Sequence, residues 1–264
     1  AARLNCTERE IVFTSGGTEA NNLALFGGTA AKKRAGKRIV VTQLEHSSVY
    51  ETADALEQQG FEVIRLAPGP DGKIPVQSIY EAVEHIKKAV KKAGAPALIH
   101  CDAVQAFGKM SCRPAALGVD LMTVSSHKIH GPKGAGALYI RKGTRILPRQ
   151  FGGSQEQAIR PGTEGVPSIA GFGAAVEALG DTVQHAAEAS KLWNALWEAA
   201  EKGIYVSSGS ACSKGALSRP LAAMGLDRKT VDSALRISFS RFNRMEHVEA
   251  LVAGIEEGIA RLRK

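Results

Sequence analysis

The most distinctive setting for chemistry in this sequence is that of Lys128. It follows an apolar run, Val119 to Val124, which predicts a buried strand, and glycines separate it from a second strand predicted at Ala137 to Ile140. Ligands of α/β proteins bind beyond the carboxyl ends of parallel strands, so a lysine held there can reach a ligand. Its amine can bind phosphate or form a Schiff base with a carbonyl compound. A solvent-exposed lysine in a glycine-rich turn is the alternative.

A second candidate binding group follows the strand predicted at Glu10 to Thr14. There the sequence Ser15-Gly16-Gly17-Thr18 leads into a helix that is predicted to reach about Arg34. Unpaired backbone N–H groups and the helix dipole attract an anion at such a start, so this turn predicts a phosphate site. The alternative is an ordinary helix N-terminus capped by Thr18.

Two further titratable side chains follow predicted strands. His46 comes after the strand Lys37 to Thr42, although a histidine in such a loop is more often a helix cap or a surface residue. Asp102 directly follows the apolar strand Ala97 to Cys101. A carboxylate beside a buried strand is costly unless it caps the next helix or pairs with a protonated ligand nitrogen. If the strands are parallel, His46, Asp102 and Lys128 share one edge of the sheet.

Strand and helix patterns alternate from Ile11 to Ile140, which predicts a mainly parallel sheet flanked by helices. Residues 1–180 are expected to form this large domain. A long helix is predicted from about Ser168 to Ala200. Residues 181–264 are expected to form a smaller α+β domain. Its predicted elements are strands at Ile204 to Val206 and Ala234 to Ser240 and helices at Leu217 to Met224 and Met245 to Leu262. A further strand is predicted at Gly60 to Leu66 and a further helix at Val76 to Lys92.

The composition excludes several classes of protein. The 264 residues are 44% hydrophobic and 23% charged, with no apolar run long enough to cross a bilayer, which favours a cytoplasmic globular protein. The net charge of +8 comes largely from helix-like stretches without interleaved aromatic residues, so a nucleic-acid groove is disfavoured while an acidic protein partner stays open. The four cysteines form no CxxC pair, so any functional cysteine acts singly.

Seven motifs occur in the order known from one enzyme family: Phe13 to Glu19, Glu45-His46, Asp102 to Gln105, Ser125 to Lys128, Arg160 to Thr163, Ser208 to Cys212 and Arg236 to Phe239. With them the chain resembles the NifS/IscS-like cysteine desulfurases, which are fold-type I pyridoxal-phosphate enzymes of the class-V aminotransferase family. The Ser-Gly-Ser-Ala-Cys sequence is that of the NifS and IscS branch. The chain departs from the family by lacking an Ala-Thr-Thr segment before Glu10, an Asn-Asn-Glu motif between Phe61 and Ala97, and part of the small domain.

The resemblance implies a role for each residue that would contact the ring of pyridoxal 5'-phosphate. Lys128 would hold the cofactor as a Schiff base and then move the Cα proton of the substrate. Asp102 would pair with the pyridinium nitrogen, and Gln105 would donate to the ring hydroxyl oxygen. His46 would stack on the ring and help with proton transfer.

The resemblance also assigns phosphate-binding and substrate-binding residues. The phosphate would be held by Gly17, Thr18, Ser125 and His127. The family's shared dimer site implies that Thr163 comes from the neighbouring subunit of a homodimer. The loop that carries it, Arg160 to Thr163, has no evident role within one subunit. Arg236 would bind the substrate carboxylate. The Cys212 thiolate would attack the sulfur of L-cysteine, become a persulfide and leave alanine.

The implied activity is sulfur transfer from L-cysteine to an acceptor protein, such as one of iron–sulfur cluster assembly or of thiolation. No membrane partner and no direct nucleic-acid partner is expected. Two alternatives stay open. In another fold-type I enzyme, such as a selenocysteine lyase or an aminotransferase, Lys128 and Asp102 would keep their roles but Cys212 need not react. The second alternative is a non-catalytic interaction protein, which is favoured if the protein truly lacks the family segments named above.

Overall fold

Two β-sheets organise the part of the chain that the computed structural model describes, residues 1–72, 97–180, 191–192, 218–232, 234, 237–239 and 242–262. The strands are β1 Ile11–Thr14, β2 Arg38–Thr42, β3 Glu62–Leu66, β4 His100–Asp102, β5 Leu121–Ser125 and β6 Gly136–Ile140. The larger sheet has the order β1-β6-β5-β4, and β2 pairs with β3 in parallel. β4 and β5 are parallel, whereas β6 is antiparallel to both of its neighbours. The carboxyl ends of β1, β4 and β5 therefore lie at one edge, as the argument for a ligand site requires.

The described helices are α1 Gly17–Ala31, α2 Ser47–Gln58, α3 Pro114–Leu117, α4 Val166–Glu177, α5 Arg219–Ala223, α6 Arg228–Asp232 and α7 Met245–Leu262. The prediction of an amphipathic helix from Met245 to Leu262 is confirmed. The prediction of one helix from Ser168 to Ala200 is wrong in its length, since α4 ends at Glu177. Gly180 has a φ of 60°, a left-handed conformation that glycine adopts without steric cost and that ends many helices.

The chain divides into two units, residues 1–68 with 73–180 and residues 69–72 with 181–264. In the first unit, β5 and β6 are buried at every position because side chains cover both faces of the sheet. α1 covers one face, where Leu23 packs with Leu121 and Leu138. On the other face Phe107 meets Phe172 of α4 edge to face, with ring centroids 6.5 Å apart. Full burial of each such side chain contributes about 1.5–3 kcal/mol, so this core fixes the strand ends that carry the site.

Two predicted strands are corrected. The strand predicted at Ala97 to Cys101 lies at His100–Asp102 and is partly buried, so Asp102 is its last residue. The shift has a physical cause, because the backbone N–H of Ile99 donates to the Asp120 carboxylate at 2.8 Å and does not join the strand ladder. The described residues of the stretch predicted as a strand at Ala234 to Ser240 belong to no strand.

In the second unit, Leu192 and Val248 form a small apolar cluster against which Ile237 and Phe239 pack. The helix predicted at Val76 to Lys92 and the strand predicted at Ile204 to Val206 lie outside the described residues. Within the described residues, no helix combines the length and apolar character needed to span a bilayer. The same residues contain no group of three or more His, Cys, Asp and Glu side chains suited to a metal ion.

Candidate active site

The turn between β1 and α1 approaches the sheet edge closely because it contains two glycines. Gly16 has φ 155° and ψ −178°, a combination that is essentially restricted to glycine. At Gly17, a Cβ atom would lie 2.9 Å from Cγ2 of Val104 and 3.7 Å from Cβ of Ser125, so a side chain there would push the turn away from β4 and β5. No described side chain caps α1, and Thr18 is exposed, so the alternative of a Thr18 cap is wrong. The first N–H groups of α1 therefore suit an anion.

The loop from Arg160 to Thr163 is anchored to the start of α1. Nε and Nη2 of Arg160 donate to the Glu19 carboxylate at 2.7 and 3.2 Å, and the N–H of Ser15 donates to the same carboxylate at 2.7 Å. Burial raises the pKa of Glu19, but the hydrogen bonds from Arg160 and Ser15 outweigh it and hold this pKa below its ordinary value. The expectation that this loop has no role within one subunit is therefore wrong. Thr163, three residues further on, is exposed.

Asp102 presents an ionisable carboxyl group at the end of β4. Its Oδ1 accepts the N–H of Val104 at 3.0 Å, as a cap of the following turn would, and its Oδ2 accepts Nδ2 of Asn21 at 2.7 Å. Among the described residues, no cationic side chain forms an ion pair with Asp102. Burial raises the pKa of Glu45, and the nearby charge of Asp102 raises this pKa further. A cationic ligand atom would therefore be favoured beside Asp102.

His100 lies two residues before Asp102, on the same face of β4. Its Nε2 is 3.0 Å from Oγ1 of Thr123. Burial lowers the pKa of His100 to about 4, against a smaller opposite effect of the Asp102 charge. His100 is thus neutral at pH 7 and does not supply a counter-charge to Asp102.

Lys128 lies in a short 3₁₀ helix, Ser126–Ile129, directly after β5. Ser125 is buried, and its Oγ is 2.8 Å from Nδ1 of the exposed His127. Lys128 is exposed and close to Lys109, whose pKa is lowered by burial and by the charge of Lys128. Nζ of Lys109 donates to Oε1 of Gln105 at 3.0 Å. The segments after β4 and β5 therefore bring Gln105 and Lys128 into one neighbourhood.

His46 is the N-cap of α2, so the expectation of a capping histidine is confirmed. Its Nδ1 accepts the N–H of Ser48 at 3.1 Å and lies 2.8 Å from Oγ of Ser48. The ring itself is exposed. Burial lowers the pKa of His127, and the nearby charges of Lys128, Lys133 and His46 lower it further. The cap therefore leaves the ring of His46 accessible in the neighbourhood of His127.

The structure thus gathers six of the predicted cofactor residues at the carboxyl ends of β1, β4 and β5: Gly17, Asp102, Gln105, Ser125, His127 and Lys128. The expectation that His46 shares this sheet edge is wrong, because His46 follows β2 of the separate two-stranded sheet; it is connected to Asp102 through Ser48 and Asn21. Cys212 and Arg236 lie outside the described residues. Sequence reasoning gave no role to Asn21 and Ser48, which connect His46 with Asp102. Asn21 had one signal, since it is a polar residue on the buried face of α1. Ser48 had none.

The three cysteines other than Cys212 are not activated as nucleophiles. Cys6, Cys101 and Cys112 are free thiols, and burial raises the pKa of each. The charge of Asp102 raises the pKa of Cys101 further. Because the thiolate is the nucleophile, none of these three side chains is activated for attack at neutral pH.

Comparison with known proteins agrees with this geometry. The family model described as "Aminotransferase class-V" matches residues 1–90 and 79–198. The fold and this match define the class: the chain belongs to the aminotransferase class-V family, whose members depend on pyridoxal phosphate.

Several relatives of the chain are described as cysteine desulfurases. The chain is 31% identical to "Putative cysteine desulfurase IscS 1" of Bacillus subtilis, over 99% of this chain and 86% of that protein. It is 32% identical to "Cysteine desulfurase IscS" of Shewanella oneidensis, over 99% of this chain and 80% of that protein. The solved structure of a "NIFS-LIKE PROTEIN" superposes with a TM-score of 0.80 at 30% identity, covering 98% of this chain and 85% of that one. The predicted resemblance to the NifS/IscS branch and the predicted fold class are confirmed.

Proposed function

We propose that this protein is a cysteine desulfurase that binds pyridoxal phosphate, removes sulfur from L-cysteine and carries that sulfur as a persulfide on Cys212. The observation that carries the proposal is the setting of Asp102. This carboxylate stands at the sheet edge that also bears Lys128, is hydrogen-bonded by Asn21, and has no cationic partner among the described residues. A pyridinium N–H supplies such a partner.

The residues at the sheet edge fit the cofactor group by group. Lys128 supplies the amine for the aldehyde, and Asp102 the anion for the ring nitrogen. His46 and Gln105 suit the ring face and the ring hydroxyl oxygen. The phosphate matches the N-terminus of α1 together with Gly17, Thr18, Ser125 and His127. A Cβ at Gly17 would displace this turn, which supports a close approach of backbone to an anion.

When bound, pyridoxal phosphate withdraws electrons from the substrate and weakens its Cα–H bond. Lys128 would take the proton from Cα and return a proton to the product, because a lysine amine acts as a base in its neutral form. Asp102 would pair with the ring nitrogen and favour its protonated form. Arg236 binds the substrate carboxylate through two parallel hydrogen bonds, the geometry that suits guanidinium.

The sulfur-transfer step falls to Cys212. Its thiolate attacks the sulfur of L-cysteine, the substrate C–S bond breaks, a new S–S bond forms, and the electron pair left on carbon is protonated to give alanine. Atoms and electrons balance as L-cysteine plus enzyme thiol giving L-alanine plus enzyme persulfide, without an external oxidant. The persulfide then passes to an acceptor protein, such as one of iron–sulfur cluster assembly or of thiolation.

The proposal is tested by incubating the full chain with pyridoxal phosphate, L-cysteine and a thiol reductant. Alanine and sulfide are expected in equal amounts. Faster release of selenium from selenocysteine, or amino-group transfer to a keto acid, would point to another fold-type I enzyme. A protein that stays colourless and inactive would favour the interaction-protein alternative. One observation supports that alternative. The alignment with the Bacillus subtilis relative extends over 326 positions, whereas this chain has 264 residues, so the chain has no residue at many aligned positions.

A shared active site between two copies is part of the proposal. The loop that carries the exposed Thr163 is anchored at Glu19, beside the start of α1 that suits an anion. In a dimer that packs at this loop, Thr163 of one copy would reach the phosphate site of the other copy. Thr163→Val is expected to weaken pyridoxal phosphate binding about 10- to 100-fold, the range for one hydrogen bond to a charged group. Equilibrium dialysis measures the affinity, and the thermal midpoint without cofactor is expected to stay unchanged.

Thr144→Val, in the turn after β6, is the matched control and is expected to leave affinity unchanged. A protein that is monomeric at micromolar concentration and holds the cofactor tightly would contradict the shared site.

A variant of Arg236 distinguishes substrate binding from cofactor binding. Arg236→Ala is expected to raise the KM for L-cysteine about 10- to 100-fold, because a carboxylate loses its charge-assisted hydrogen bonds. The visible absorbance of the loaded protein is expected to stay unchanged. Arg228→Ala, on α6, is the control. Unchanged cysteine kinetics in Arg236→Ala would remove this residue from the substrate site.

A further inference from the structure

Asn21 occupies an unusual place for an amide side chain. It is 1% exposed and shares the buried face of α1 with apolar residues. Its Nδ2 is 2.7 Å from Oδ2 of Asp102 and 2.8 Å from Oγ of Ser48, and that Oγ is 2.8 Å from Nδ1 of His46. A continuous chain of hydrogen-bonding groups thus joins Asp102 to His46. Its two middle members, Asn21 and Ser48, have no role in the chemistry proposed above.

The carboxylate of Asp102 sets the orientation of the Asn21 amide. An ionised carboxylate only accepts hydrogen bonds, so the amide nitrogen must face it. Both Nδ2 hydrogens are then used, one by Asp102 and one by Ser48. Oδ1 of Asn21 is buried without a hydrogen-bond partner among the described residues, which is unfavourable for a carbonyl oxygen. The amide keeps this orientation because the reverse one would place two acceptors against each other.

The hydrogen bonds of Ser48 determine which ring nitrogen of His46 carries the hydrogen. Oγ of Ser48 accepts from Asn21, so its own hydrogen is available to Nδ1 of His46. The backbone N–H of Ser48, 3.1 Å from Nδ1, can only donate. Nδ1 therefore accepts from both groups, and the neutral imidazole carries its hydrogen on Nε2.

We propose that Asn21 and Ser48 are positioning residues that hold the neutral ring of His46 in the tautomer with the hydrogen on Nε2 and tie its position to that of Asp102. This inference rests on the proposed function, since His46 and Asp102 matter jointly only if they flank one bound ring. Its consequence is that His46 presents a hydrogen-bond donor, Nε2–H, to whatever binds beside it. Ser48 and Asn21 would then be needed for efficient catalysis without touching substrate or cofactor.

The tautomer is measured directly by long-range ¹H–¹⁵N correlation spectra of the full chain labelled with ¹⁵N-histidine, without cofactor and after loading with pyridoxal phosphate. The spectra are recorded about two pH units above the ordinary histidine pKa of about 6.5, so that the rings are neutral. His46→Gln identifies the resonances of His46 among those of the seven histidines. The expected spectrum shows the hydrogen on Nε2.

Ser48→Ala removes one of the two donors to Nδ1 and is expected to raise the ratio of the Nδ1–H to the Nε2–H form about fivefold, as loss of a hydrogen bond of about 1 kcal/mol implies. Ser48→Thr keeps a hydroxyl group and is expected to restore the wild-type ratio. Thr52→Val is the matched control, because the Thr52 hydroxyl donates to the carbonyl of Ser48 at 2.7 Å but lies outside the chain to His46.

Asn21→Leu keeps the number and branching of the side-chain heavy atoms and removes the hydrogen bond to Asp102. It is expected to shift the tautomer ratio in the same direction, and the double variant with Ser48→Ala is expected to add little, because both changes act on one network. If Asn21→Leu does not fold, the Ser48 variants decide the question.

Two results would overturn the inference: a wild-type His46 with its hydrogen on Nδ1, or a ratio that Ser48→Ala leaves unchanged. A folded Asn21→Leu protein with the wild-type ratio would remove Asn21 from it. Because the tautomer is read without cofactor, a failure of the desulfurase proposal leaves this measurement intact. A chain that desulfurates cysteine but carries Nδ1–H overturns the positioning role alone.

Discussion

Lys128→Ala is expected to turn a yellow protein colourless and to lower kcat for alanine formation by about 10²–10⁴-fold or more, the contribution of a positioned acid–base group. Lys128 lies in the short 3₁₀ helix Ser126–Ile129 that follows β5, which places this residue at the edge where Asp102 ends β4. Under the proposed function the same amine would attach the cofactor and move the Cα proton, so its loss is expected to remove the visible band and the chemistry together. Absorbance spectra and alanine release measure the two effects.

Two controls make the Lys128 result specific. Lys133→Ala removes another lysine whose charge reaches His127 and is expected to keep both colour and activity. Borohydride reduction of the loaded wild-type protein is expected to fix the cofactor to one peptide, and mass spectrometry is expected to place it on Lys128. Attachment to Lys109, which lies close to Lys128, would contradict the assignment. So would a Lys128→Ala protein that keeps its visible band after dialysis.

The parts of the fold that could be predicted are those with a strong local pattern. The apolar runs that became β1, β5 and β6, and the amphipathic repeat of α7, specify their elements because each can bury one continuous surface. The position of β4 could not be predicted, since the N–H of Ile99 is taken by the Asp120 carboxylate 21 residues away. No local pattern shows such a bond.

The orientation of β6 is a second example. A β/α alternation favours parallel strands, but β6 lies between β1 and β5 and is antiparallel to both. In this arrangement Gly136 of β6 lies against the β1–α1 turn. Only a glycine fits there, because a Cβ atom at this position would lie 2.7 Å from Cα of Gly16. The requirement is tertiary, so the glycine alone does not reveal it.

The candidate site divides in the same way. Lys128, Asp102 and His46 could be predicted because each follows a strand and carries a reactive group. The pair Arg160–Glu19 and the chain through Asn21 and Ser48 could not, because their partners are separated by 141, 81 and 27 residues in sequence. Motif matching gave the residues that are proposed to contact a ligand, whereas the residues that form hydrogen bonds to them depend on the folded geometry.

Cys212→Ser is expected to separate cofactor binding from sulfur transfer. The variant keeps its visible absorbance and its spectral response to L-cysteine, because Lys128, Asp102 and Arg236 are unchanged. Alanine and sulfide formation are expected to fall by at least about 10³-fold, as after loss of an essential nucleophile, since serine is not ionised at neutral pH. Intact-protein mass spectrometry after incubation with L-cysteine is expected to show a gain of one sulfur atom in wild type and none in the variant.

The assignment to Cys212 is tested against the other cysteines of the chain. The sequence Ser207 to Gly215 around it is small, polar and glycine-bearing, which predicts an exposed loop where a thiolate can form and reach both substrate and acceptor. Cys101 and Cys112 have thiol pKa values raised by burial, so Cys101→Ser and Cys112→Ala are expected to keep the persulfide and most of the activity in any variant that folds. Peptide mapping that placed the extra sulfur on Cys101 or Cys112, or a Cys212→Ser protein with most of the wild-type rate, would show that another group carries the sulfur.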